Sequence, residues 1–154
     1  MAPRNLYFAF FSEKKQRCQQ QLTGIVGTNN IENEANLFLY YQNTRGLNSK
    51  LSSFYNSMAV GEYDIVALTE TWLHPGVYDS EFSTQNYTII RKDRDFLHTN
   101  KCRGGGVLIA VRSDLHYTEI NLSNTPLNNF QYLDFLCIKM LIASTSIIIV
   151  VVYI

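Results

Sequence analysis

Cysteine is scarce and scattered in this 154-residue chain: Cys18, Cys102 and Cys137 are the three, and no two are close. An odd count without a close pair argues against a disulfide framework or a zinc cluster, and reads as free thiols in a reducing compartment. A surplus of one charge sign is also lacking. Lys plus Arg and Asp plus Glu both number 13, so net charge makes no case for nucleic acid. The apolar opening, Leu6–Phe11, is too short for a secretory signal and has only Arg4 before it. Met140–Ile154 is uncharged but runs for 15 residues, short of the roughly 20 that cross a bilayer. Its β-branched ending fits a strand buried on both faces better than a membrane anchor. A nuclear or cytoplasmic chain, not secreted and not in a membrane, is the expectation. No Gly-Lys-Ser/Thr phosphate loop is present either. Gly104-Gly105-Gly106 leads into the strand-like run Val107–Val111, so it reads as a tight backbone approach, not a phosphate cradle opening a helix. His74, His98 and His116 show no metal-ligand spacing to one another and no nucleophile partner.

What is present fits one globular domain with a real core: hydrophobic residues make up 46% and charged residues 17%. Residues 1–36 are polar and Gln/Asn-rich, without a sustained period, and are expected to form a poorly ordered leader with at most one short helix. The domain is expected over 37–154. Strands are expected at 37–42, 64–71, 87–91, 107–111 and 117–121, then a closing pair at 132–141 and 146–154. Leu47, Leu51, Phe54, Tyr55 and Met58 fall on one helical face, and Gly61 follows as a stop. The segment Arg91–Arg112 holds six basic residues (Arg91, Lys92, Arg94, Lys101, Arg103, Arg112) against Asp93 and Asp95. It reads equally as a phosphate-facing patch or a solvated loop. The last strand has nothing polar to close it, which suggests the amino-terminal part of a larger domain.

Strand, helix and strand over 37–71 form a βαβ unit, whose strands run parallel. Asn43 and Glu70 then close neighbouring strands at the edge where open α/β sheets place ligands. Glu70 is a solvent-facing carboxylate or a ligand for a hard divalent ion such as Mg²⁺, which takes one or two carboxylates and fills its other positions with water and phosphate. Asn43 is a turn-former or an amide contacting a phosphate oxygen or a metal-bound water. Trp72 reads as a core aromatic. Tyr153 matters if the end of its strand joins the same edge.

Four ordered blocks carry a resemblance: Tyr41–Leu47 (YQNTRGL), Asp64–Leu73 (DIVALTETWL), Arg91–Arg94 (RKDR) and Arg103–Val111 (RGGGVLIAV). Together they resemble the endonuclease/exonuclease/phosphatase family, most closely the endonuclease domain of jockey-like non-LTR retrotransposons, over roughly 37–154. The resemblance implies an α+β, four-layered α/β sandwich of two mixed sheets with outer helices, here truncated. It implies Mg²⁺-dependent phosphodiester hydrolysis, with DNA nicked to prime reverse transcription. By position Glu70 matches the metal-binding Glu, Asn43 the Asn that contacts the phosphate or metal sphere, and Tyr153 the active-site Tyr. Two further segments of the family, an Asp-x-Asn that carries the acid/base Asp and a closing Ser-Asp-His, do not occur among these 154 residues. A phosphatase of the same fold and a non-catalytic remnant are the alternative readings.

Overall fold

The computed structural model describes residues 6–11, 37–60, 63–82, 84–96, 103–121, 133–142 and 145–154, excepting the side chains of 6–11 and of residue 57. Eight strands form two four-stranded mixed sheets. The first sheet has the order β2-β3-β5-β4, from β2 (Leu39–Asn43), β3 (Ile65–Thr69), β5 (Val107–Arg112) and β4 (Tyr87–Lys92). The second has the order β1-β8-β7-β6, from β1 (Leu6–Phe11), β8 (Thr145–Tyr153), β7 (Asp134–Ile142) and β6 (Tyr117–Glu119). The β2–β3 pair is parallel, as a βαβ unit requires, with Asn43 opposite Thr69. The last two strands pair antiparallel, as expected.

The sheets pack face to face. Leu39, Tyr41, Ile65, Ala67, Ile109 and Val111 meet Leu136, Ile138, Met140, Ile149 and Val151 in one buried cluster. The alternate residues of the first sheet, Val66, Leu68, Leu108 and Ala110, pack beneath Leu47, Phe54 and Met58. That sheet is therefore covered on both faces and β3 and β5 are buried almost throughout. By contrast β8, expected from its apolar run to be buried on both faces, alternates buried and half-buried residues because one face alone meets the other sheet. Each large side chain so buried contributes about 1.5–3 kcal/mol.

The expected apolar helical face is present, but the α-helix begins late. Asn48–Lys50 is a 3-10 turn and α1 spans Leu51–Ala59. Lys50 N–H donates to the Leu47 carbonyl at 2.8 Å and Ser49 Oγ to the Gly46 carbonyl at 3.1 Å. These local bonds tighten the first turn. Gly61 lies outside the described residues.

Two expectations are revised. Among the described residues α1 is the single α-helix, so the sandwich shows three layers, not four with helices on both outer faces. Within the expected leader, Leu6–Phe11 is a strand lying parallel to β8, from Leu6 opposite Ser146 to Phe11 opposite Val151. Its partner is far along the chain, so no local pattern marks the pairing. The rest of the leader lies outside the described residues. No described helix is long and apolar enough to cross a membrane.

Candidate functional site

The glycine run leads into β5 and no helix starts at Val107, so it is not a phosphate cradle of the strand-turn-helix kind. All three glycines have positive φ (105°, 75° and 83°), which lets the chain fold back against the ends of β3, β7 and β8. Thr71 N–H donates to the Gly106 carbonyl at 3.3 Å and Trp72 N–H to the Gly105 carbonyl at 3.0 Å. This lacing holds the segment after β3, where Glu70 and Trp72 sit in the left-handed region at φ 57° and 55°. Left-handed backbone at non-glycine residues is costly and clusters at functional sites.

From that conformation the Glu70 side chain crosses the end of the sandwich. One carboxylate oxygen, Oε1, accepts from the Tyr153 hydroxyl. The other, Oε2, accepts from the Trp72 indole N–H and from the Gly105 N–H at 3.2 Å. Burial pushes the Glu70 pKa up, but the donors Tyr153, Trp72 and Gly105, with the Arg94 charge, outweigh it and hold the carboxyl below its ordinary range. Tyr153 is pushed up to about 12 by burial, then by its bond to the Glu70 carboxylate and by that group's charge. At neutral pH the site therefore holds an ionised Glu70 and a protonated Tyr153.

A pH dependence follows from the depressed carboxyl. Glu70 contributes its stabilisation fully above the ordinary carboxylate range of about 4.3, and loses it as pH falls through the lower folded-state value. Glu70→Gln should therefore flatten the acid limb of the stability–pH curve below about pH 4.3 while leaving its shape at neutral pH unchanged. Urea denaturation at stepped pH reads this, and an acid limb identical to wild type would contradict it.

Asn43 ends β2 on the inter-sheet face that Leu39 and Tyr41 share, opposite Thr69. The Thr44 hydroxyl donates to the Thr69 and Glu70 carbonyls, at 3.1 and 2.9 Å, fixing the ends of β2 and β3 together. Asn43 Oδ1 is buried without a hydrogen-bond partner. Buried polar atoms are satisfied in the great majority of cases, so an orphaned amide oxygen at the strand end next to that of Glu70 marks a place for a cation, a donor or a water. The backbone thus brings Asn43, Glu70 and Tyr153 to one end of the sandwich. Hard oxygen donors of this kind suit Mg²⁺, which needs few carboxylates. Among the described residues no group of three His, Cys, Asp or Glu side chains could form a denser metal cluster.

Four participants escape sequence reasoning. Trp72 is half-buried, not a core residue: its indole bonds Glu70, Gly46 lies against the ring, and the exposed Arg103 guanidinium stacks 4.1 Å from its centroid. Gly105 supplies an amide donor. Arg94 and Asp134 form an ion pair beneath the glycines, with Nη2 to Oδ2 at 2.8 Å and 4% exposure each. A signal existed for the last pair. Asp134 is buried and opens the buried apolar run Phe135–Ile138, and a carboxylate there requires a partner. The basic segment is largely paired with the protein's own carboxylates and rings. Arg91 pairs with Asp79 and Asp93, and Arg112 with Asp64 and Asp114, while Lys92 Nζ lies 4.4 Å from the Phe135 ring centroid. Arg103 is the described member of the segment left pointing outward at this end; Lys101 lies outside the described residues.

No family model matches the chain, and no curated protein matches it in sequence. Among solved structures it is similar to NExo, a 3′ phosphatase from Neisseria bound to a product DNA hairpin, at 18% identity and a TM-score of 0.44, over 71% of this chain and 39% of that one. It is also similar to humanized D. rerio TDP2, at 17% identity and a TM-score of 0.45, over 74% of this chain and 48% of that one. The chain spans less than half the length of each.

Proposed function

We propose that residues 37–154 are the amino-terminal part of a Mg²⁺-dependent phosphodiesterase of the endonuclease/exonuclease/phosphatase family, whose complete form nicks DNA to prime reverse transcription of a retrotransposon. One observation carries the reading: an ionised Glu70, held in a strained backbone by three donors, shares a sheet edge with the orphaned Asn43 Oδ1. The four sequence blocks that resemble the family support it: Tyr41–Leu47 and Asp64–Leu73 carry Asn43 and Glu70, and Arg91–Arg94 and Arg103–Val111 supply Arg94 and Gly105 beside them.

Glu70 and Asn43 would hold the metal, which supplies Lewis-acid charge against phosphoryl oxygens. Tyr153 keeps its proton at neutral pH, so its hydroxyl orients the Glu70 carboxylate by donating to it and does not serve as a base. Trp72 fixes the second carboxylate oxygen. Arg103, exposed over the indole, offers a cation to a neighbouring phosphate.

One fact favours a second reading, the non-catalytic remnant. Neither Asp-x-Asn nor Ser-Asp-His occurs among these 154 residues, so the family's own water-activating segment is not supplied by them. The two readings share the metal-and-phosphate edge and differ in turnover. The edge is tested by binding a labelled DNA duplex with and without Mg²⁺. Mg²⁺ is expected to tighten binding roughly tenfold, about 1.4 kcal/mol, and Glu70→Gln to abolish the gain. Absent binding, or binding indifferent to Mg²⁺ and to Glu70→Gln, would overturn the proposal.

A further inference from the structure

The Arg94–Asp134 pair is buried in the fold, and its contacts with the glycine run and with Tyr153 lead to Glu70. Three N–H groups converge on one oxygen, Asp134 Oδ2: Arg94 Nε and Nη2, each at 2.8 Å, and the Gly106 amide at 2.9 Å. Asp134 stands opposite Tyr153 in the β7–β8 register, and the Arg94 guanidinium lies 5.1 Å from the centre of the Tyr153 ring. Gly105 rests directly on the pair. A Cβ there would come within 2.2 Å of Arg94 Nε and 2.6 Å of Asp134 Oδ2. The two residues that hold opposite oxygens of the Glu70 carboxylate, Gly105 through its amide and Tyr153 through its hydroxyl, therefore both neighbour one guanidinium.

From this geometry we infer that Arg94 and Asp134 are a positioning pair, which sets the Glu70 carboxylate by fixing Gly105 and the Tyr153 ring together. A planar guanidinium does this and an ammonium does not. Arg94 grips Asp134 with two N–H groups while its Cζ lies over the phenol ring, whereas lysine offers a point charge without the fork. The inference deepens the proposed function and rests on Glu70 being its working carboxylate.

The test reads Glu70 through its neighbour. Trp72 is the single tryptophan of the chain, so its indole N–H gives one unambiguous NMR resonance, bonded to Glu70. Arg94→Lys retains the buried positive charge. It is expected to shift the indole N–H toward its position in Glu70→Ala and to speed its solvent exchange severalfold. Asp134→Asn, which keeps an oxygen for Gly106 but loses the ion pair, is expected to do the same. A variant that loses stability yet keeps the wild-type indole shift and exchange rate would show the pair to be structural only, and overturn the inference. A measurement on the wild-type chain needs no variant. The Gly105 and Gly106 amides, Arg94 Nε–H and Trp72 Nε1–H should exchange as one cooperative unit with the same protection. Independent, faster exchange at Gly105 and the indole would equally overturn it. All these readings are taken without metal or DNA, so they stand or fall apart from the proposed function.

Discussion

Gly105→Ala is expected to prevent cooperative folding. The new Cβ would lie 2.2 Å from Arg94 Nε, 2.5 Å from its Cζ and 2.6 Å from Asp134 Oδ2, and the site has φ +75°. The atoms in the way belong to a buried ion pair, so they cannot swing into solvent. Parting such a pair costs about 3–5 kcal/mol. The left-handed backbone adds roughly 1–2 kcal/mol for an L side chain. The sum rivals the whole stability of a domain, about 5–15 kcal/mol. Gly104→Ala is the control, because its Cβ would meet Glu70 Oε2 at an ordinary 3.7 Å. It should cost only backbone strain, about 1–3 kcal/mol. Thermal melts of the two variants separate the effects. A Gly105→Ala chain that melts like Gly104→Ala would show that the glycine backbone does not rest on the pair.

The second large effect concerns the ion pair itself. Asp134→Leu alone should cost about 3–5 kcal/mol, because it strands a buried guanidinium and the Gly106 amide together. Arg94→Met alone should cost about as much by stranding the carboxylate. The double variant should recover the part of the loss due to the uncompensated charges, since two apolar side chains replace both, and keep the cost of the unpaired Gly106 amide, about 1–3 kcal/mol. Urea denaturation gives all four corners of the cycle, and constant slopes would show that the denatured state is unchanged. Additive losses in the double variant would mean that the two residues do not interact, contrary to their 2.8 Å separation. Recovery of stability in the double variant should not restore the Trp72 indole resonance, because neither leucine nor methionine holds Gly105 and Tyr153 in place.

The parts of this fold legible in the sequence are those whose burial leaves a local pattern. Ile65–Leu68 and Val107–Val111 are apolar because α1 covers one face of their sheet and the second sheet covers the other, whereas β8 is as apolar but has one well-covered face, so its apolar run overstates its burial. Asn43, Glu70 and Tyr153 could be singled out because each stands where an apolar run ends, and strand ends are where side chains leave the core. The parallel β2–β3 pairing then followed from the length of the connection. What stayed hidden is what depends on distant partners. Leu6–Phe11 has the composition of a strand, but its pairing with β8 spans most of the chain and no local signal announces it. Trp72 stands beside apolar Leu73, and only the left-handed turn at Glu70 and Trp72 directs the indole onto the carboxylate. Arg94 sat in a segment legible only as basic. That its charge is turned inward, and that of Arg103 outward, is decided by where β7 places Asp134.

Glu70 and Asn43 are proposed to form a divalent-cation site at one end of the sandwich. Paramagnetic broadening of amide resonances by substoichiometric Mn²⁺ tests it most directly, since Mn²⁺ accepts the same oxygen donors as Mg²⁺. Broadening should centre on Asn43, on Thr69 to Thr71 and on Tyr153, and should vanish in Glu70→Gln while the fold persists. Broadening centred instead on Asp64 and Asp114 at the opposite end of β3 and β5, or broadening at the Glu70 edge that survives Glu70→Gln, would contradict the account.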